Sequence, residues 1–168
     1  LNSTKTDELV YVGNATPTFF GSLRNSFSFK RATLSGNITY KLGYFFRRSS
    51  INYSALLNGG INAYQHADFA SRWQQPGDEQ HTTVPAFVYP ANTNRDNFYQ
   101  YSPALIEKAD HIRLQDVQLS YLLKTGERIP MKNVRLVCYA RNLGIIWKST
   151  RYSIDPDYSY GTGMPDPF

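Results

Sequence analysis

The chain has 168 residues with a hydrophobic fraction of 41% and a mean hydropathy of −0.47. No run approaches the roughly 20 apolar residues of a spanning helix, which argues against a helical membrane protein but says nothing against a membrane barrel, whose strands alternate. The net charge of +5 comes from Lys and Arg that are scattered apart from Lys30-Arg31 and Arg47-Arg48, so no nucleic-acid partner is expected, and the lone Cys138 rules out a disulfide framework or a multi-cysteine metal site.

Aromatic residues make up 15% of the chain and charged residues only 18%, a balance that favours β structure. Residues 1–17 read as a polar lead-in with turn signals at Gly13-Asn14 and Pro17. A first strand is expected over 19–30, with Phe19, Leu23, Phe27 and Phe29 on one face and Phe20, Ser22, Arg24, Ser26, Ser28 and Lys30 on the other, which is polar except at the strand entry. A second is expected over 32–46, where Ala32, Leu34, Ile38, Tyr40 and Leu42 alternate with Thr33, Ser35, Asn37, Thr39 and Lys41. The turn at Lys30-Arg31 is short enough to make the pair a hairpin. Each strand reaches the roughly 9–11 residues that cross a bilayer when tilted.

The segment 47–110 is too long for an ordinary loop in a compact domain. Residues 54–73 can hold one or two helices broken at Asn58-Gly59-Gly60, and 74–102 read as polar, proline-punctuated chain. A third strand is expected over 111–124, where Val117, Leu119, Tyr121 and Leu123 alternate with Asp116, Gln118 and Ser120. After a turn at 124–130, a fourth is expected over 132–142, with its facing ambiguous because Val134, Leu136, Val137, Cys138 and Tyr139 crowd together. Residues 143–168 show little strand signal. The connections thus alternate short and long, as in outer-membrane barrels with tight periplasmic turns and long outer loops.

Catalytic and metal signatures are weak. His66, His81 and His111 are far apart and lack zinc-ligand spacing. Asp155, Asp157 and Gly161 lack the closing Glu of a calcium loop. Asp78-Glu79 with Asp116 offer carboxylates for glycoside hydrolysis only if the fold brings them together. No phosphate-binding loop, nucleophile elbow or dinucleotide fingerprint is present. We therefore expect no enzyme, no metal and no cofactor. Trp73, Tyr89, Tyr99 and Tyr101 in the long segment are candidates for contact with a substrate or a lid protein, against the simpler role of packing that segment together. Tyr40, Tyr44, Phe45 and Phe46 fit an interfacial aromatic girdle.

Several of these stretches resemble one family. Arg72-Trp73-Gln74-Gln75-Pro76-Gly77-Asp78 with Val84-Pro85, Asp110-His111-Ile112-Arg113-Leu114 with Leu119-Ser120-Tyr121, Ala140-Arg141-Asn142-Leu143 and Asp155-Pro156-Asp157 occur in the order found in SusC/RagA-type TonB-dependent outer-membrane transporters of Bacteroidetes. Gly13-Asn14 with Pro17 and Gly21-Ser22-Leu23-Arg24-Asn25 match upstream. The resemblance covers nearly the whole chain. It implies an all-β antiparallel meander of about four long strands, part of a 22-stranded transmembrane barrel in the bacterial outer membrane, with 47–110 as an extracellular loop. It implies a C-terminal barrel portion over 1–168 whose plug domain and final strand are absent. The implied function is uptake of oligosaccharides or peptides. The implied partners are the rest of the barrel and its plug, a SusD-like surface lipoprotein, TonB acting through the missing N-terminal region, and lipid.

On this reading Leu23, Phe27, Leu34, Ile38, Tyr40, Val117, Leu119 and Tyr121 face lipid, while Arg24, Asn37, Lys41, Asp116 and Gln118, with Arg113, face the lumen. Ile112 and Leu114, four and two residues before Asp116, share its parity and are expected above the membrane beneath the long loop. The alternative from the residues alone is a soluble all-β carbohydrate-binding module with the long segment as its site.

Overall fold

A computed structural model describes residues 10–57, 66–124 and 133–157. They fall into two compact units. One contains 13–45, 108–124 and 133–157; the other contains 10–12, 46–57 and 66–107.

The first unit is an antiparallel meander of four strands, β1 (Phe19–Phe29), β2 (Ala32–Leu42), β5 (His111–Leu122) and β6 (Arg135–Lys148), hydrogen-bonded in the order β1-β2-β5-β6. Two short strands, β3 (Phe45–Arg47) and β4 (Ile106–Lys108), pair separately. The fold is all-β, as expected, with few short helices. Lys30, at a φ of 52°, makes the tight β1–β2 turn. The expected turn at 124–130 lies mostly outside the described residues, as do Asn58-Gly59-Gly60 and Gly161.

The second strand stops at Leu42 rather than running to Phe46. Gly43 sits at a φ of 76°, where a side chain is strained, and its N–H donates to Asp110 Oδ1 at 2.6 Å. That break redirects the aromatics that follow. Tyr44 and Phe46 are buried, and Tyr44 reaches His111, so they are not girdle residues. The fourth strand runs six residues past the expected end. Asn142 and Gly144 adopt positive φ and absorb an irregularity in the β5–β6 pairing, so the ladder survives a stretch that reads as loop.

β5 holds a β-bulge. Asn37 pairs with Asp116 but Ile38 pairs with Leu114, which leaves Gln115 without a partner on β2. Ile112 and Leu114 therefore join Val117 and Leu119 on the apolar face, and Arg113 joins Asp116 on the polar one. The expectation that Ile112 and Leu114 share the face of Asp116 is overturned, because simple alternation cannot see an inserted residue.

The long segment builds its own small core. Ile51, Tyr53 and Val84 are buried together, with Leu56 against them. The Tyr53 ring meets Phe87 edge-on at 5.6 Å, and its hydroxyl donates to the Pro85 carbonyl at 2.6 Å. α1 (Tyr53–Leu57) lies where a helix is expected. α2 (Thr93–Tyr101) does not, since 74–102 read as irregular. Its start is fixed by Asn92, whose side-chain oxygen accepts from the Arg95 N–H at 3.1 Å.

Candidate functional site

Cross-strand partners point the same way, so the register defines two faces. One carries the rows Gly21–Tyr40–Ile112–Trp147, Leu23–Ile38–Leu114–Gly144, Asn25–Gly36–Val117–Ala140, Phe27–Leu34–Leu119–Cys138 and Phe29–Ala32–Tyr121–Leu136. The other carries Ser26–Ser35–Gln118–Tyr139, Arg24–Asn37–Asp116–Arg141, Ser22–Thr39–Arg113–Ile145 and Phe20–Lys41–His111–Lys148. All eight residues expected to face lipid fall on the first face, and Arg24, Asn37, Lys41, Asp116, Gln118 and Arg113 fall on the second. The ambiguous strand resolves too. Leu136, Cys138 and Ala140 join the apolar face, Val137 and Tyr139 the polar one.

Apolar side chains of the first face are exposed, whereas charged groups at the centre of the second are buried. Leu23 is 64% exposed and Phe27 67%, and Phe29, Leu34, Leu119, Tyr121 and Leu136 are exposed beside them. Asp116, by contrast, is 4% exposed, and Arg113 and His111 are buried.

Two ionic groups occupy the polar face. In the first, Arg24 Nη2 lies 2.9 Å from both Asp116 oxygens, and Asn37 Nδ2 donates to the same carboxylate at 3.2 Å. In the second, residues 149–157 fold back over the sheet after β6. Arg113 donates to Asp155, Lys41 Nζ donates to Asp157 at 2.6 Å, and His111 Nε2 stands 3.3 Å from Asp157. The bond from His111, ahead of that from Lys41, holds the Asp157 carboxyl well below the usual carboxylate range. Asp155-Pro156-Asp157 is thus an anchor rather than a calcium loop, and among the described residues no cluster of three His, Cys, Asp or Glu is arranged to hold a metal. The partners of Asp155 and Asp157 were not legible, because those cations lie 42 to 116 residues away.

In the other unit, the four candidate aromatics have different fates. Tyr99 is buried. Its hydroxyl meets Ser50 Oγ at 2.9 Å, Ser50 and Arg48 both bond Asp68, and burial pushes the phenol up. It packs the unit and is unavailable to a ligand. Trp73 is half-buried, and its indole N–H donates to Glu79 at 3.0 Å. The same carboxylate accepts from the Gly77 N–H at 2.7 Å, while Asp78 accepts from the N–H groups of Gln74 and Gln75. The segment 73–79 is therefore a self-closed turn, with its two carboxylates spent on their own backbone. Trp73→Phe should loosen this turn by about 1 kcal/mol, read as roughly fivefold faster amide exchange over 74–79, and leave ligand affinity unchanged.

Tyr89, at 78%, and Tyr101 are exposed. Phe98, at 80%, is equally exposed and was not among the sequence candidates. α2 buries Asp96 and Tyr99 and turns Asn94, Asn97, Phe98 and Tyr101 outward. That helical spacing was the available signal, hidden by the polar residues around it. Asp96 accepts from the Ser54 N–H and hydroxyl at 2.7 and 2.6 Å, which fixes α2 against α1. Arg47 sits 5.9 Å from the Tyr101 ring, so one face of that ring is already engaged.

No family model matches the chain, and no curated protein matches it. Solved structures do. A structure of the RagAB peptide transporter aligns with a TM-score of 0.60 at 22% identity over 88% of this chain. The RagAB peptide importer in its closed-closed state aligns at 0.58 and 21% over 83%, and in its open-open state at 0.55 and 20% over 80%. These likenesses are in fold. The chain spans only 14–15% of the length of the proteins it matches.

Proposed function

We propose that this chain forms part of the wall and outer loops of an outer-membrane β-barrel importer of the SusC/RagA type. The observation that carries this reading is a continuous exposed apolar face set against buried charge at the centre of the opposite face. Water-soluble monomers rarely expose contiguous apolar surface on this scale, and a lumen-lining face is where buried charge belongs. Strands of 11, 11, 12 and 14 residues are long enough to cross a bilayer when tilted. The fold likeness to the RagAB structures supports the same reading.

In this role the apolar rows meet lipid and the polar rows line the lumen, beside the plug and the remaining strands. The reading assigns no catalysis to the chain. Its cargo is a peptide or an oligosaccharide, its partner a SusD-like lipoprotein, and its energy comes through TonB from elsewhere in the assembly. Phe98, Tyr101 and Tyr89 are the aromatic groups offered to cargo or lid.

The first test is location. The protein should stay with the outer membrane after a high-salt wash and run as a heat-modifiable band; release by salt in soluble form would end the proposal. The second is contact. Phe98→Ala with Tyr101→Ala should weaken lid or cargo binding by the intact assembly about tenfold or more, as exposed aromatic anchors commonly do, whereas Tyr99→Phe should act on stability alone.

A further inference from the structure

β6 ends at Lys148, and the chain returns across the polar face as residues 149–157. Cationic side chains from three strands hold this return. Lys148 Nζ donates to the carbonyls of Tyr152 at 2.6 Å and Ile154 at 3.0 Å, Arg113 donates to Asp155, and Lys41 and His111 converge on Asp157. Lys41, His111 and Lys148 occupy adjacent positions in one cross-strand row. Like charges directly opposite one another destabilise a sheet, so the row depends on the carboxylates folded over it. The strand-borne carboxylate on this face, Asp116, lies two rows away and is engaged by Arg24 and Asn37.

His111 is the one member of this row whose charge changes near neutral pH. It is 1% exposed, and an acceptor stands on each side of its ring. Nδ1 lies 3.0 Å from the Ala109 carbonyl, and Nε2 lies 3.3 Å from the Asp157 carboxylate. A neutral imidazole carries a single N–H and cannot donate to both; the imidazolium can. The Tyr44 hydroxyl, 3.3 Å from Nδ1, supplies the other arrangement, since it donates to that nitrogen once its proton has left.

We propose that residues 149–157 form a proton-sensitive strap, closed on the polar face while His111 is an imidazolium and loosened when His111 gives up that proton. The strap stands on this geometry whether or not the opposite face of the sheet meets lipid. The Nε2–H bond to Asp157 exists in both states but is charge-assisted only in the imidazolium, so the hold is full below the imidazole range and falls as pH rises through it. The other groups facing His111 are Lys41 from β2, Lys148 from β6, Arg113 from β5, Asp155 and Asp157 from the strap, and Asp110 and Tyr44 from the flanking turns. Carboxylates, lysines and arginines ordinarily titrate outside the interval between about pH 5.5 and 8.5, and burial keeps the Tyr44 phenol protonated there.

Amide exchange over 149–157, measured on the whole protein in micelles and corrected for intrinsic rates, tests the strap. Opening should rise about tenfold between pH 5.5 and 8.5. His111→Gln should abolish the rise. Asp157→Ala, which removes the anchor and keeps the histidine, should show the alkaline level of exchange already at pH 5.5. Protection of 111–122 in the same spectra verifies that each variant is folded. A wild-type response that is flat with pH, a rise that survives His111→Gln, or a strap that stays closed and pH-sensitive in Asp157→Ala would each overturn the proposal.

Discussion

Arginine at Val117 is expected to cost about 2–4 kcal/mol of folding stability in a bilayer, while arginine at the adjacent Gln118 should cost less than about 1 kcal/mol. Val117 stands in the row Asn25–Gly36–Val117–Ala140, near the middle of the sheet, on the face that exposes Leu23 and Phe27. A charge there has no partner within its row and, if the face meets hydrocarbon, no water either. Gln118 lies between Ser35 and Tyr139 on the face that already accommodates Arg24, Asp116 and Arg113. Urea titrations of the intact protein in lipid vesicles, scored by heat-modifiable mobility, separate the two variants. Equal costs at both positions would mean that the two faces do not meet different media. The comparison is stringent because the residues are neighbours and the substituted side chain is the same.

A second large effect is expected inside the long segment. Arg48→Met should destabilise that unit by about 3–5 kcal/mol, because it leaves Asp68 ionised and buried without its guanidinium. The Ser50 hydroxyl would remain but supplies no charge, and the His66 ring stands off at 3.8 Å. The damage should be local. Limited proteolysis is expected to nick residues 46–107, while exchange protection over 111–122 persists. Uniform loss of protection in both places would show instead that the two units fold as one cooperative block.

Much of the sheet was legible from the order of residues alone. β1 and β2 alternate cleanly over 11 residues each, and the hairpin between them leaves no freedom of register. What was not legible came from three physical sources. Inserted residues leave composition and local polarity unchanged, so the facing of Ile112 and Leu114 was misread and β6 appeared to end at Asn142. The polarity of 93–101 concealed α2, whose buried face uses Asp96 and Tyr99 where an ordinary amphipathic helix uses aliphatic residues. Long-range ion pairs leave no local trace, so Asp155 and Asp157 looked like turn residues until Arg113, Lys41 and His111 stood beside them. Of the two candidate aromatics on α2, Tyr101 is exposed whereas Tyr99 is not, a distinction set by the helical phase.

The pairing irregularities also explain where the strap's cations come from. Counted in strict twos from Val117, His111 belongs to the apolar surface; counted in twos from Leu136, so does Lys148. Gln115 on β5 and Ile146 on β6 each shift their strand by half a pleat, and each lies between the apolar run and the charged residue. The two half-steps bring His111 and Lys148 round beside Lys41, whose own strand, β2, keeps an unbroken phase against β1. A single unpaired residue per strand thus acts as a phase shifter. It lets one stretch of chain present hydrocarbon along most of its length and a row of positive charge at its end.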